Sequence, residues 1–284
     1  MERIGIESAA YPQALKEIPK PPQELWLAGT LPPPANKRLA VVGSRALSSY
    51  GKEACESLIS GLAGYPVSIV SGLALGADGC AHRAAMRAGL HTLAVPGSGL
   101  AYAALYPRAH TALAKQILDA GGGLLSEHEP DHRARAYDFP SRNRIMVGLA
   151  DAVLMVEAGE RSGTLITARL AGEYNRQLLC IPHRMGDLHG YGSHFFLRMG
   201  ATLASEPAHL LEALGIEPRA SVAELDLDAL APSERIVVAV LSEPRTRDGL
   251  LRACGLPAHE TLAILGALEL AGIIKEEFGM WRRA

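Results

Sequence analysis

The segment at residues 39–45, Leu39-Ala40-Val41-Val42-Gly43-Ser44-Arg45, decides the fold because an apolar strand pattern runs directly into a small, basic turn. Residues 48–63 follow with apolar side chains at helical spacing, which predicts a strand, a tight loop and a helix. The GxGxxG fingerprint is absent, and this disfavours NAD binding. Gly43 would let a phosphate approach the backbone while Ser44 and Arg45 bind it. The alternative is a tight turn with a solvated Arg45.

Four further stretches, at 71–78, 96–99, 139–144 and 157–164, repeat this design of apolar strand, glycine or polar loop, and helix. Loops that leave the carboxyl ends of parallel strands emerge along one edge of the sheet. Glycine loops at helix N-termini favour anions, so the five loops predict one phosphate-binding surface. Besides the first loop, its candidate residues are Gly72, Gly76, Gly97, Ser98, Phe139, Arg142, Asn143, Arg144, Ser162, Gly163 and Thr164.

Outward from these loops, strand and helix patterns alternate. Strands are predicted at 39–42, 67–70, 92–95, 124–125, 152–156 and 177–181, helices at 48–63, 76–88, 107–119, 142–149 and 163–174, and short β/α pieces at 195–203 and 207–214. This alternation is typical of a mostly parallel sheet with helices on both faces. We therefore expect an extended Rossmann-like α/β domain at 38–215. An N-terminal arm at 1–37, with one short helix at 11–18, should precede it.

The C-terminal part follows a different pattern. Residues 216–232 contain four acidic residues and two prolines, and they predict an exposed linker. Helical patterns at 233–241, 247–254 and 258–271, then apolar pairs at 273–274 and 280–281, predict a small winged helix-turn-helix domain at 233–284. It has seven basic and seven acidic residues, and this balanced charge favours neither DNA binding nor protein contact as the role of the domain.

Charge and composition narrow the class of protein. The net charge is −2 over 284 residues, so attraction to a polyanion must come from a local cluster such as 132–145, with four arginines and one aspartate. The four cysteines are widely separated, which predicts buried reduced thiols rather than a zinc or disulfide site. No signal peptide or membrane span is recognisable, and we expect a soluble, cytoplasmic protein.

The second and third loops have mixed roles. Asp78 is interpreted as a helix cap or as a partner of neighbouring loop amides, and His82 as a buried packing residue. The amides around Gly97 and Ser98 could form an anion nest, although this turn alone is a weak signal.

The fourth loop is the most specific feature. Arg142 and Arg144 could clamp phosphates while Phe139 offers a base-stacking face, a combination suited to single-stranded nucleic acid. In the alternative interpretation, Arg144 pairs internally with Glu157 or Asp151, and Phe139 belongs to the core.

The fifth loop helps to distinguish a binding protein from an enzyme. Residues 162–164 form a phosphate-type turn, but nucleotide-cleaving relatives of this fold carry P-G-G-x-G-T-x-x-E with a catalytic glutamate. Thr167 stands at the position of that glutamate. No Ser-His-Asp order or paired carboxylate site is recognisable, and the histidines at 183, 189 and 194 disfavour a metal by their spacing. We expect no catalytic residue, cofactor or metal.

A series of motifs resembles the DNA-processing protein A (DprA/Smf) family. They are VGSR at 42–45, SGLAxGADxxAH at 71–82, YP at 106–107, LSE at 125–127, FPxRNR at 139–144, VEA at 156–158 and SGTL at 162–165. The resemblance covers roughly residues 11–214, and the tail from residue 233 resembles the winged-helix domain that many members carry.

This resemblance implies a homodimer that binds single-stranded DNA without cutting it. It also implies that the dimer loads the RecA recombinase onto incoming strands in natural transformation and displaces single-strand-binding protein. The DNA contacts it implies are Gly43, Ser44, Arg45, Arg142, Asn143, Arg144, Ser162, Gly163 and Thr164. The chain departs from the family pattern at Leu75, commonly arginine, and at His183 and His194, commonly glycine and asparagine. Its first 37 residues are too few for the SAM-like domain of many members.

Two rival functions stay open at this point. A nucleoside-monophosphate hydrolase on the same scaffold is disfavoured by Thr167. A transcription regulator would require sequence-selective duplex binding by residues 233–284. The sequence does not determine how dimers form, because the apolar run Phe195, Phe196, Leu197 and Met199 fits an interface and a core equally well.

Overall fold

The computed structural model describes residues 1–218, 230–277 and 279–283. The chain forms two compact units, Met1–Glu217 and Pro218–Ala284. Most of the predicted linker at 216–232 lies outside the described residues. All four cysteines are buried and free, as predicted. Within the described part of the chain, no helix is long and apolar enough to span a bilayer.

One nine-stranded sheet organises the first unit. Its strands are β1 (Glu2–Gly5), β2 (Glu24–Gly29), β3 (Lys37–Val42), β4 (Val67–Ser71), β5 (His91–Ala94), β6 (Gly123–Ser126), β7 (Ala152–Met155), β8 (Gln177–Cys180) and β9 (Thr202–Leu203). They lie in the order β1-β2-β6-β5-β4-β3-β7-β8-β9. The pairs from β6 to β9 in this order are parallel, whereas β1 and β2 run antiparallel to their neighbours. The predicted mostly parallel α/β sheet is confirmed.

Helices cover both faces of this sheet. They are α1 (Gln13–Lys16), α2 (Ser49–Ser60), α3 (Ala77–Arg87), α4 (Thr111–Asp119), α5 (Asp138–Leu149), α6 (Thr164–Glu173), α7 (Tyr191–Arg198) and α8 (Pro207–Ala213). Along β3, Leu39 and Val41 join a core with α2, α3 and α8, whereas Ala40 and Val42 join the core with α1, α5, α6 and α7. Because both faces are buried, the central strands are apolar runs without alternation.

The first 37 residues differ from the predicted arm. β1 and β2 extend the sheet beyond β6, where Trp26 pairs with Ser126, and the helix α1 is shorter than predicted. Along β2, Leu25 and Leu27 are buried and alternate with more exposed residues. This period-two pattern is that of a strand at the edge of a core, and the surrounding prolines obscured it in the sequence.

The order of the strands creates a switch point between β3 and β7. The chain passes from β3 through β4 and β5 to β6 on one side, then returns to place β7, β8 and β9 on the other side. Loops after β3 and β7 therefore diverge and leave a crevice beyond the carboxyl ends of these two neighbouring strands. Ligands of open α/β sheets bind in such a crevice.

The second unit is the predicted winged-helix domain. It contains α9 (Pro232–Val240), α10 (Arg247–Ala253), α11 (Ala258–Leu270), β10 (Arg245–Thr246), β11 (Ile274–Glu277) and β12 (Met280–Arg283). The three strands pair in the order β10-β12-β11, so the sheet has one strand more than the sequence predicted. Val237, Leu250, Leu265 and Trp281 lie in its separate hydrophobic core.

Candidate nucleic-acid interface

An open cleft with a volume of about 640 Å³ lies at the switch point. Nine predicted contact residues line it: Gly43, Ser44 and Arg45 after β3, Phe139, Arg142 and Asn143 on α5, and Ser162, Gly163 and Thr164 at the start of α6. The first, fourth and fifth loops therefore share one surface, which we call the switch-point cleft.

Arg45 is exposed and is held in place by an aromatic ring. Its Cζ lies 4.9 Å from the centroid of the Phe139 ring, and the Phe139 ring lies 5.4 Å from that of Tyr106. A cation over a ring face is attracted by the ring quadrupole. Because Arg45 covers one face of this half-buried ring, we interpret Phe139 as a support for Arg45 rather than as the bare stacking platform that was predicted.

Arg161 is a second exposed arginine of the cleft, and the sequence analysis did not select it. It lies in the loop between β7 and α6 and lines the same cleft as Arg45. Within the described residues, neither arginine forms an ion pair with a carboxylate. The sequence signal was a cation between glycines after a strong strand, but its exposure depends on tertiary packing.

Arg142 corrects the prediction of a solvent-facing clamp. Its side chain is 4% exposed, and its Nη1 donates a hydrogen bond of 2.5 Å to the carbonyl of Val95. Burial lowers the pKa of Arg142 to about 10, while Asp78 acts in the opposite direction, so the guanidinium stays charged at neutral pH. Arg142 forms part of the cleft floor and contributes a fixed positive charge there.

The second loop supports the cleft instead of binding an anion through its glycines. A Cβ on Gly72 would lie 1.6 Å from Nη1 of Arg142, so Gly72 makes room for this guanidinium. Gly76 has φ of +72°, and a Cβ there would lie 2.2 Å from the carbonyl oxygen of Ser44. Both glycines allow close packing between segments of the chain.

Asp78 has the structural role that was predicted. Its carboxylate accepts a hydrogen bond of 3.1 Å from the amide of Ala74 and is buried. Burial raises the pKa of Asp78, and the nearby charge of Arg142 opposes this shift. His82 is fully buried, and its Nδ1 atom lies 2.8 Å from the hydroxyl of Thr92. Burial lowers the pKa of His82 to about 3, which agrees with a histidine that packs in the core.

The third loop does not form the predicted anion nest. Ser98 is fully buried; its hydroxyl donates to the carbonyl of Gly99 at 3.0 Å and accepts from the amide of Tyr106 at 3.1 Å. A Cβ on Gly97 would meet the Phe139 ring at 2.8 Å. Gly97 and Ser98 therefore hold the wall behind Phe139.

Arg144 points to an internal partner, as the alternative interpretation proposed, but the partner is different. It forms an ion pair with Glu127, and its side chain is 16% exposed. Asp151 is bound by Arg38 instead, and Glu157 accepts a hydrogen bond of 3.0 Å from the amide of Ser48. Arg144 does not line the cleft and is removed from the candidate contacts.

The turn at the start of α6 is open toward solvent. The hydroxyl of Ser162 accepts from the amide of Thr164 at 3.2 Å and lies 3.0 Å from the hydroxyl of Thr164. A Cβ on Gly163 would meet no atom within 4 Å. Among the described residues, the space beside Cα of Gly163 is therefore open, and a ligand could approach the backbone there.

Thr167, which stands at the position of the glutamate in the nucleotide-cleaving pattern, is bound by Asn143 of the neighbouring helix. The Asn143 amide donates a hydrogen bond of 2.8 Å to the hydroxyl of Thr167, which is 1% exposed. This bond ties α5 to α6 along one wall of the cleft. Among the described residues that line the cleft, Asp78 is the only one with a carboxylate.

The structure also shows the surroundings of the residues that depart from the family pattern, His183, His194 and Leu75. The Nε2 atom of His183 lies 3.8 Å from the buried carboxylate of Glu157, and the Nδ1 atom of His189 lies 3.4 Å from it. His194 Nε2 contacts the carbonyl of His183 at 3.0 Å. Leu75 is 44% exposed and borders a small cavity beside the cleft, where arginine would add charge.

Comparison with known proteins agrees with this geometry. Residues 2–215 match the family model described as DNA recombination-mediator protein A, and residues 221–280 match the DprA winged helix domain. The chain belongs to the DNA recombination-mediator protein A (DprA) family.

Relatives in the DprA family resemble most of the chain. Protein Smf of Escherichia coli strain K12 is 39% identical over 279 residues, which is 95% of this chain and 74% of that protein. DNA processing protein DprA of Streptococcus pneumoniae is 40% identical over 211 residues, 73% of this chain and 72% of that protein.

Two solved DprA structures share the fold. The S. pneumoniae structure has a TM-score of 0.70 and 37% identity, covering 74% of this chain and 73% of that chain. The Helicobacter pylori structure has a TM-score of 0.65 and 28% identity, covering 75% of this chain and 95% of that chain, and is described as giving insights into the single-stranded DNA binding mode of that protein.

Proposed function

We propose that this DprA-family chain binds single-stranded DNA in the switch-point cleft and delivers it to a RecA-type recombinase without catalysing a reaction. The observation that carries this proposal is the pair of exposed arginines, Arg45 and Arg161, which line one cleft from two different loops and lack carboxylate partners among the described residues. Guanidinium groups bind phosphate through charge-assisted hydrogen bonds.

The surroundings of these arginines suit a phosphate backbone. The hydroxyls of Ser44 and Ser162 lie on residues that line the cleft, and Gly163 leaves open space at the start of α6. The helix N-terminus and the buried charge of Arg142 add a positive field. Because these groups address phosphates rather than base edges, we expect little sequence preference.

A flexible strand fits these contacts better than a rigid duplex. Arg45 rests on Phe139 with one face, and the outer face of its guanidinium can receive an unstacked base. Stacked aromatic and guanidinium platforms with basic grooves are typical of single-strand binding. The H. pylori relative described by its single-stranded DNA binding mode supports the same substrate for this chain.

The absence of catalysis is part of the proposal. Asp78 is buried and accepts a hydrogen bond from a loop amide, and Thr167 is bound by Asn143 where a hydrolase would carry glutamate. A general acid or base needs a titratable group within reach of the substrate. We expect no free base to be released from a panel of nucleoside monophosphates; release would favour the hydrolase instead.

Delivery to the recombinase and dimerisation are proposed from family membership and from one exposed surface. On α7, Phe195 is 40% exposed and stacks with Tyr191 at 6.5 Å, and Met199 just beyond it is 72% exposed, whereas Phe196 belongs to the core. We propose that Phe195 and Met199 contribute to a homodimer interface. Light scattering should give a dimer for the native chain and a monomer for Phe195→Asp.

The recombinase step has its own assay. Single-stranded DNA is first covered with single-strand-binding protein, and RecA filament growth is then followed with and without this chain. We expect faster filament growth in its presence. No acceleration, together with normal DNA binding, would contradict delivery while leaving the DNA site intact.

Fluorescence polarisation of a labelled poly-dT oligonucleotide tests the DNA site. Arg45→Ala with Arg161→Ala should weaken binding about a hundredfold, since each lost charge-assisted contact costs roughly 1.4 kcal/mol. The slope of log affinity against log salt should also become shallower, by about 0.7 per lost phosphate contact. Arg83→Ala, an exposed arginine on α3 that does not line the cleft, is the matched control. Equal affinity of the double variant and the control would refute the site.

A further inference from the structure

The loop between β6 and α5 brings together three side chains whose spacing gave no metal signal in the sequence. They are His128, His132 and Asp138, and one ligand atom from each lies within 4.8 Å of the others. We propose that these three residues form a binding site for a divalent transition-metal ion, with Zn²⁺ as the probe that the donor set favours. Imidazole and carboxylate donors suit zinc and its neighbours in the first transition row.

The distances are close to those of a coordinated ion. His132 Nε2 lies 2.8 Å from Asp138 Oδ2, and His128 Nε2 lies 3.7 Å from Asp138 Oδ1. Ligand atoms at 2.0–2.1 Å from a tetrahedral zinc ion are about 3.3 Å apart. The three ligand atoms lie within 4.8 Å of one another, so side-chain adjustment would have to bring them to this spacing around one ion.

An orphaned nitrogen provides a second, independent indication of a ligand. His128 Nε2 is buried and has no hydrogen-bond partner among the residues that the structure describes, and its distance of 3.7 Å to Asp138 Oδ1 is too long for a hydrogen bond. A buried polar atom without a partner costs free energy. The hydrogen bond between His132 and Asp138 satisfies only one of the two rings, and coordination would satisfy both.

The carboxylate of the site is already oriented, whereas the two rings must turn to share a ligand. The imidazoles of His128 and His132 are stacked, with centroids 4.1 Å apart and planes inclined by 19°, so an ion bound by both requires at least one ring to rotate until its nitrogen lone pair points at the ion. Asp138 is 1% exposed, and its Oδ2 also accepts from the amide of Arg135 at 2.7 Å. This second bond holds the carboxylate in orientation, as partners of metal-binding carboxylates do.

An ion here would fasten the loop to the helix that supports Arg45. Asp138 is the first residue of α5 and directly precedes Phe139. The loop already contacts the wall of the cleft, since Gly99 donates its amide to the carbonyl of His132 at 2.9 Å. Three protein ligands leave a further coordination position for water. The metal site requires no DNA binding, so it can be tested separately from the proposed function.

Zinc titration of the full chain in competition with a chromophoric chelator tests the proposal. We expect one Zn²⁺ per chain, with binding at least about tenfold weaker in His128→Gln and His132→Gln. His259→Gln, an exposed histidine of the winged-helix unit, is the control and should bind like the native chain. Equal affinity in His128→Gln, or no binding by the native chain, would overturn the site.

Two further measurements distinguish this site from other ligands and from misfolding. Cobalt(II) loaded into the chain should show weak visible d–d bands without the strong near-ultraviolet thiolate band, which would instead indicate a cysteine site and overturn the proposal. Zn²⁺ should raise the melting temperature of the native chain and of His259→Gln but not that of His128→Gln. Among the described residues, Nε2 of His128 has no hydrogen-bond partner to lose, so we expect metal-free His128→Gln to melt close to the native chain.

Discussion

The arginines at the two ends of the β3–β7 strand pair differ in burial and pairing: one forms an ion pair with a carboxylate, and the others are exposed. At the amino ends, Arg38 donates through its Nε and Nη2 atoms to the carboxylate of Asp151, both at 3.0 Å, and its backbone amide adds a third bond of 2.7 Å. At the carboxyl ends, Arg45 and Arg161 are exposed and lack carboxylate partners among the described residues.

This difference shows that the position of an arginine in the fold, rather than the residue type, determines whether its charge is paired or exposed. At the amino ends the guanidinium is neutralised by its own chain and supports the fold. At the carboxyl ends the helix N-termini and glycine turns already favour anions, so an unpaired arginine there is available for an external phosphate. The following predictions test whether stability and DNA binding divide between these two ends.

The largest effect is expected for Arg142, which lies at the carboxyl end but is buried like a structural charge. Arg142→Ala should lower the free energy of unfolding by about 3 kcal/mol, because it removes the buried guanidinium that donates to the carbonyl of Val95 and whose charge favours ionised Asp78. Urea unfolding measures this change, with Arg83→Ala as the control. Unchanged stability with a strong loss of DNA affinity would show that Arg142 faces the ligand, and the comparison would then fail.

Arg45→Ala and Arg38→Ala should have opposite effects. We expect Arg45→Ala to weaken poly-dT binding about tenfold, roughly 1.4 kcal/mol, with no change in stability. Arg38→Ala should lower the free energy of unfolding by about 1 kcal/mol and leave DNA affinity unchanged. Fluorescence polarisation gives the poly-dT affinity of each variant, and urea unfolding gives its free energy of unfolding. If one variant changes both properties, the two ends are not separate in function.

A substitution at Gly163 tests whether DNA occupies the space at the carboxyl ends of the strands. Gly163→Gln should reduce DNA affinity about fivefold to tenfold, because the side chain would extend into ligand space from a Cβ that meets no described atom within 4 Å. Gly172→Gln is the matched control: it lies on the same helix, also has no atom within 4 Å of an added Cβ, and does not line the cleft. Equal DNA affinity of the two variants would place the strand elsewhere.

The smallest effect is expected for the pH dependence of stability that the Arg38–Asp151 pair contributes at the amino ends of β3 and β7. Burial alone would raise the pKa of Asp151, but the hydrogen bonds and charge of Arg38 outweigh it and hold the pKa below its usual range. A lowered pKa in the folded state means that the stabilisation is present above the unfolded value and is lost as the pH falls through the folded value. Asp151→Asn should therefore be less stable by about 1 kcal/mol at neutral pH.

Urea unfolding at a series of pH values checks the sign. The difference between the native chain and Asp151→Asn should shrink as the pH falls below about 4. A difference that grows toward acid pH would contradict the assignment of the Arg38 pair.

The sequence predicted what depends on local pattern. The apolar run of β3 followed by Gly43, Ser44 and Arg45 indicated a strand, a turn and a helix, and the structure contains them. The helix α5 begins at Asp138, four residues before the predicted start at 142, because Pro140 lies in the first turn, where its missing N–H costs nothing. The strands β1 and β2 were missed because prolines surround a short period-two pattern.

The parts of the predicted site that lie together in the cleft depend on the same local signals. Glycine turns after strands can be recognised locally, and those around Gly43 and Gly163 do line the cleft. Arg142, Arg144 and Arg161 look alike in sequence but have different surroundings in the fold. Arg142 donates to the carbonyl of Val95, and Arg144 forms an ion pair with Glu127. Arg161 is exposed to solvent. The grouping of His128, His132 and Asp138 also arises only when the loop folds back on α5.

The sequence by itself determined the alternation of strands and helices, the winged-helix unit, and the glycine turns from which a phosphate surface can be built. Only the tertiary structure decided which arginines are buried, which are paired and which remain exposed at the switch point. The reason is physical: periodicity and turn preferences act between residues a few positions apart, whereas burial and charge pairing are set by atoms brought together from distant parts of the chain.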